Sequence, residues 1–306
     1  MQNSQAPASD SSSKTLQCNS CGAGVVFERH IRATVCPYCA SPQVLERPPT
    51  PDRPNPTFAM GFALPEAKAM KIARRWVRGR RWIAPLAFHR SDPQNIKGLY
   101  LPVYLYSAAA YSNYSCDIGE NYTVVERDSK GNTRTRTKTE WRRLSGQHAC
   151  YLNNVVVTAS KGIPNDELES VEPFHMHDLR RYGKKIVSGF IAEEPSMDPR
   201  HCMGLANEEA KRDVGKRLKA FMPGDRQRNL QFNTQLKNED LELALLPIWV
   251  LAVRWSDKKD PVRLLVNGQT GKLHGKTPIS AIKVAMWVLL GLAVVTPIVM
   301  YFVNAS

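Results

Sequence analysis

The chain has 306 residues, of which 42% are hydrophobic, and a formal net charge of +14. That length accommodates one or two modest cores, while the charge suits an anionic membrane leaflet and nucleic acid alike and excludes neither. Residues 1–15 are rich in Ser, Gln, Asn and Ala, are expected to be disordered, and lack the apolar run that a secretory signal peptide requires.

Residues 16–46 predict a zinc ribbon. Cys18, Cys21, Cys36 and Cys39 form C-x2-C, fourteen intervening residues, then C-x2-C. Gly22 follows one knuckle and Pro37 sits inside the other, so each pair of sulfurs turns inward and four thiolates suit one tetrahedral, structural Zn2+. A disulfide framework or free thiols are the rivals, and disulfides need an oxidising compartment. Residues 24–27 and 32–35 are expected to pair as a short hairpin with residues 28–31 at its tip.

Residues 47–57 carry five prolines and read as a stiff linker that holds the ribbon away from the body of the chain. The body, residues 58–277, is expected to be α+β with mainly antiparallel strands, because helices alternate with strands in no regular βαβ order. Two stretches run in similar order and raise an internal duplication. One is Gly61-Phe62-Ala63, a helix over 66–76 and Leu101-Pro102 entering an aromatic run. The other is Gly189-Phe190-Ile191, a helix over 207–221 and Leu246-Pro247 entering a second run. Each Leu-Pro is expected to open its strand. Further strands are expected over 122–126, 132–142, 154–159 and 262–267. In residues 134–140, Arg134, Arg136 and Lys138 share one face and threonines the other, which marks a solvated strand.

Catalytic patterns are sparse. Gly268-Gln-Thr-Gly-Lys272 is too short for a phosphate-binding loop, and neither H-E-x-x-H nor G-x-S-x-G occurs. His175, His177 and Asp178 tempt as a metal cluster, but histidines two apart on a helix diverge. Cys116, Cys150 and Cys202 with His148 and His201 lack knuckles and read as small buried residues and their neighbours. No catalytic or cofactor-binding residue is assigned. Lys68, Lys71, Arg74, Arg75 and Arg78 line one side of the first helix, opposite Met70, Ala73, Trp76 and Val77. That pattern fits a packed helix with a solvated face, a membrane surface or phosphate binding. Lys211, Arg212, Lys216, Arg217 and Lys219 make a similar face on the second helix.

Residues 284–303 contain no charge, and at 1.5 Å per residue they reach about 30 Å, the thickness of a hydrocarbon core. Residues 279–303 are therefore expected to form a single transmembrane helix. Lys272, Lys276 and Lys283 precede it and no cation follows, which predicts an inner-membrane, single-pass chain with a cytoplasmic N-terminus.

Several motifs resemble, in order, those of bacterial tail-anchored zinc-ribbon membrane proteins, often labelled primosomal protein N′ or helicase-like. They include residues 76–85, Leu101-Pro-Val-Tyr104, Thr139-Glu-Trp-Arg142, residues 154–160, Val171-Glu-Pro-Phe174, residues 224–228, Leu246-Pro-Ile-Trp249 and residues 266–271. The resemblance covers nearly the whole chain after Gln17, although Leu152-Asn153-Asn154 stands where an Asp-Asp is common. It implies PspA-like or SPFH-type membrane-stress proteins as partners. The helicase label does not suit a chain without a nucleotide-binding loop. Together these readings lead to a non-enzymatic zinc-ribbon protein that docks or scaffolds cytosolic partners at the membrane's cytoplasmic face. A membrane-tethered nucleic-acid-binding protein and an enzyme with an unrecognised site are the alternatives.

Overall fold

A computed structural model describes residues 13–18, 24–28, 36, 44–47, 55–127, 133–187, 189–256, 259 and 261–304. The chain divides into two compact units. The first comprises Met1–Val103, Thr158–Met197 and Leu243–Ser306, and the second Tyr104–Val157 and Asp198–Glu242.

The described strands are β1 (Ser13–Cys18), β2 (Gly24–Glu28), β3 (Val44–Arg47), β4 (Phe58–Ala59), β5 (Gln94–Arg127) and β6 (Thr133–Thr158), then β7 (Arg180–Arg181), β8 (Ile191–Glu193), β9 (Arg226–Val253), β10 (Val262–Asn267) and β11 (Leu273–Gly275). The helices are α1 (Glu66–Gly79), α2 (Leu86–Arg90), α3 (Asn165–Val171), α4 (Lys184–Val187), α5 (Pro199–Phe221) and α6 (Ala281–Asn304). Among the described residues the main strand order is β11-β10-β9-β5-β8-β2-β1-β3. The class is α+β, but the sheet is mixed rather than mainly antiparallel. β4 runs parallel to β9 and β8 parallel to β5, while β10 pairs antiparallel with β9 and β11.

In the first unit, α1 begins at Glu66, after Pro65, and buries Ala69, Ala73 and Val77, the i, i+4, i+8 stripe of one face. This stripe packs with Trp249, Leu251, Val253, Leu264 and Val266 of β9 and β10, while Met70 and Trp76 fill the margin. Lys68, Lys71, Arg74, Arg75 and Arg78 face outward. Phe62 stacks on Phe190 at 4.3 Å and meets the Tyr100 ring edge-on at 5.3 Å. Burial pushes the Tyr100 hydroxyl up to about 12, and it donates to Ile186 O at 2.8 Å.

One backbone plan occurs twice. β4 pairs with Ala244 and Leu245, and β8 pairs with Leu99 and Tyr100. Two residues past each pairing stands a proline, Pro247 or Pro102, inside a long strand rather than at its start. A proline offers no ladder donor, so the short parallel neighbour ends where the proline begins. The proline carbonyls remain in use: Pro247 O accepts from Gly268 N at 2.9 Å, and Pro102 O from Ala159 N at 3.0 Å. Gly268 O then accepts from Ala63 and Leu64, as Ala159 O does from Ser196 and Met197. In each copy the preceding residue caps the turn, Asn267 Oδ1 accepting from Gln269 N and Thr158 Oγ1 from Ser160 N. Both chain paths then enter a helix, α1 and α5 respectively.

In the second unit, α5 starts at Pro199, eight residues before the expected start, because Asp198 caps it through a bond from Arg200 N and Pro199 occupies the first turn. Cys202, Ala206, Ala210, Val214 and Leu218 form its buried stripe. β6 runs unbroken where two strands are expected, and residues 133–138 are exposed. Lys138 and Arg136 both reach Glu126, at 2.8 and 3.6 Å.

β2 pairs with β1 along one edge, and Val25 and Val26 pair with Glu193 and Ala192 of β8 along the other. Both edges of β2 are therefore occupied at Val25 and Val26; residues 32–35, the other half of the expected hairpin, lie outside the described residues. The expected transmembrane helix is overturned: among the described residues no helix is long and apolar enough to cross a membrane. The described side chains of α6 are those of residues 281–297, which include Lys283 and end at Pro297. A span takes about 20 consecutive apolar residues. The inner-membrane, single-pass placement rested on that helix and falls with it.

Candidate functional site

The four predicted zinc ligands are only partly within view. Cys18 ends β1 and is 2% exposed, and Cys36 is 3% exposed. Cys21 and Cys39 lie outside the described residues. The expectation of a cysteine zinc cluster is not met within this view: among the described residues, the side chains close enough together to hold a metal ion are His175, His177 and Asp178, with no cysteine among them.

That group arises from a turn the sequence reading misjudged. A single 3-10 turn, Met176–Asp178, follows His175, whose own backbone (φ −81°, ψ 84°) is not helical. Helical divergence therefore does not govern the pair. The two imidazole rings stack with centroids 5.5 Å apart and planes 21° apart. The Asp178 carboxylate lies 3.3 Å from His177 Nε2 through one oxygen and 3.9 Å from His175 Nδ1 through the other. All three offer a ligand atom within 4.8 Å of the others.

The turn is held from beneath by the corner after β10. Gln269 Oε1 accepts from His175 N at 2.9 Å, and Gln269 Nε2 donates to Asp178 Oδ2 at 3.4 Å. Gln269 N in turn donates to Asn267 Oδ1, and Asn267 Nδ2 donates to the carbonyls of Val171 and Pro173. Asn267 is fully buried. Lys272 of the rejected phosphate-loop candidate donates its Nζ to Glu172 O. The signal missed in the sequence was the polar Asn267-Gly-Gln269 corner opposite an HxHD turn.

The other cysteine and histidine candidates are not assembled. Cys116 bonds to Arg228 O at 3.3 Å. His148 packs on the Phe221 ring at 4.9 Å. Cys202 is buried, its thiol pushed up to about 11 by burial and by the neighbouring Asp198 charge. A thiol at that value is a poor nucleophile near neutral pH. Cys150 is half-buried and His201 exposed.

The first unit also carries a large apolar surface. Trp82, Ile83 and Leu86 are 55%, 45% and 50% exposed, and Ile282 and Leu289 of α6 are 84% and 66% exposed. Polar bonds tie the two elements together. Ser280 N donates to Ile83 O, Lys283 Nζ to the carbonyls of Arg81 and Ala84, and Trp287 Nε1 to Trp82 O at 3.1 Å. The Trp82 and Trp287 rings meet edge-on at 5.6 Å, and the Arg81 guanidinium lies over Trp82.

No protein-family model matches the chain, and no solved structure matches it. Among curated proteins it is similar to the uncharacterized protein YdjG of Bacillus subtilis (strain 168), with 25% identity over 234 residues, covering 76% of this chain and 66% of that protein.

Proposed function

We propose that this chain is a non-catalytic docking protein whose first unit receives a protein partner on the apolar surface of α6 and residues 82–86. The observation that carries this reading is the exposure of large apolar side chains along α6, while Ser280, just before the helix, and Lys283 on it are tied to the 81–84 turn. Exposed apolar patches of this kind mark interaction sites. Burying one Leu or Ile side chain contributes about 1.5–3 kcal/mol, so a few of them supply a useful affinity. The outward-facing cations of α1 and Arg81 favour a partner with an apolar face and an acidic rim. PspA-like or SPFH-type proteins are the class that the sequence resemblance suggests.

The reading includes one structural Zn2+ on Cys18, Cys21, Cys36 and Cys39. The burial of Cys18 and Cys36, one from each knuckle, fits thiolates turned inward, and a four-sulfur set would supply folding energy rather than chemistry. The nucleic-acid reading is less favoured because several cations of the second unit are engaged by carboxylates. Lys138 and Arg136 meet Glu126, Arg142 meets Glu120, and Arg217 meets Asp213.

Purified full-length chain and an Ile282→Asp/Leu289→Asp variant, each exposed to nuclease-treated cell extract, test the proposal. Discrete protein capture by the first and its loss from the second is expected. Equal capture by both, or capture abolished by the nuclease, would refute it.

A further inference from the structure

We propose that His175, His177 and Asp178 form a second metal site, distinct from the cysteine quartet, that takes a divalent cation of the zinc class.

The first ground is distance. Zinc holds nitrogen and oxygen ligands at about 2.0–2.1 Å, which puts neighbouring donors of a tetrahedron about 3.3 Å apart. Asp178 Oδ1 already stands 3.3 Å from His177 Nε2, and Oδ2 stands 3.9 Å from His175 Nδ1. The full set lies within 4.8 Å, so small rotations of exposed side chains would close it.

The second ground is support from behind. Metal-bound carboxylates and imidazoles are characteristically oriented by outer hydrogen bonds. Here one buried side-chain amide reaches two of the three ligand residues. Gln269, 9% exposed, accepts from the His175 backbone and donates to the Asp178 carboxylate. Its own backbone is fixed by Asn267, whose amide also holds the chain leading into the turn. An ordinary surface pair of histidine and aspartate needs no such buried clamp. Arg180 Nη1 does not compete for the Asp178 carboxylate through its hydrogen bonds, which go to the carbonyls of His177 and Leu179.

The third ground is donor chemistry. Two imidazoles and one carboxylate suit a borderline divalent ion. Three protein ligands leave a coordination position for water. His177 and His175 are 77% and 50% exposed in their side chains, so an ion has an open path to the turn.

The test is calorimetric titration of Zn2+ into the purified full-length protein, compared with His177→Ala and Asp178→Asn. Zinc taken by the cysteines appears in all three and cancels. The wild type is expected to take one more equivalent than either variant, and Gln269→Ala to bind that equivalent about 10- to 100-fold more weakly. Because His177 is an exposed side chain, its removal leaves the fold in place. Equal stoichiometry in wild type and His177→Ala would overturn the site. A Gln269→Ala variant titrating like wild type would overturn the role of the buried clamp. Neither outcome depends on the apolar docking surface, whose failure would be read from protein capture alone.

Discussion

Glu167→Gln tests how α3, the helix that precedes the histidine turn, is locked onto β10 and the chain just after β11. The Glu167 side chain is 8% exposed, pairs with Arg263, which is 20% exposed, and meets Lys276 Nζ at 3.1 Å. Burial pushes its carboxyl up, but the charges and hydrogen bonds of Arg263 and Lys276 outweigh that and hold it below the usual 4.5. Removing one member of a buried pair costs about 3–5 kcal/mol, because the other charge stays buried. Arg263 keeps its bond to Gly162 O, so the loss belongs at the low end, about 3 kcal/mol by the same rule. Lys276 is 75% exposed, and its share is at most about 1 kcal/mol. With a urea slope of about 1–3 kcal/mol per molar, the midpoint should fall by about 1 M or more. The depressed carboxyl stabilises the fold fully above its unfolded value of about 4.3 and loses that contribution as pH falls through the lower folded value. Wild type and variant should therefore converge in stability toward low pH and separate above about pH 5. A variant within about 0.5 kcal/mol of wild type at pH 7 would refute the locked triad.

Gly268→Ala would place its Cβ 2.7 Å from Pro247 O and 2.8 Å from the Phe62 ring. Because backbone cannot yield as a side-chain tip does, a loss of about 1–3 kcal/mol is expected in urea melts, whereas Gly61→Ala meets nothing within 4 Å and should be nearly neutral. Gly204 is exposed within α5 with nothing within 4 Å of a new Cβ, so Gly204→Ala should raise stability by about 0.5–1 kcal/mol. Replacing Cys18 and Cys21 by serine should remove one zinc equivalent by metal analysis, and retention of that equivalent would mean that the cysteines do not hold it.

The parts of the fold that periodicity controls were legible in the sequence. The face of Met70, Ala73, Trp76 and Val77 expected opposite the cations is the packed face of α1, with Ala69 in line with Ala73 and Val77 at its buried centre, and β10 occupies the expected residues 262–267. Features outside the reach of periodicity were missed. The start of α5 depended on the Asp198-Pro199 cap, and Gly204 inside the helix weakens the pattern ahead of residue 207. Pro102 and Pro247 read as strand openings because a missing donor is usually tolerated there. The mixed sheet instead gives each a place where a short parallel partner ends. The histidine turn was dismissed on helical geometry that does not apply to a residue preceding a single 3-10 turn. Its support comes from Gln269, more than ninety residues away in sequence, and no local pattern links the two. The apolar run near the C-terminus was assigned to a membrane by composition, whereas the described part of α6 is tied by polar bonds to the 81–84 turn.

Site-specific photo-cross-linking in growing cells addresses the docking role most directly, with the reactive group placed at position 282 in one full-length chain and at position 204 in another. Both positions are exposed, but only the first belongs to the apolar surface. The account predicts a discrete protein adduct from position 282 and none of comparable yield from position 204. Equal labelling from both positions, or no protein adduct from position 282, would contradict it.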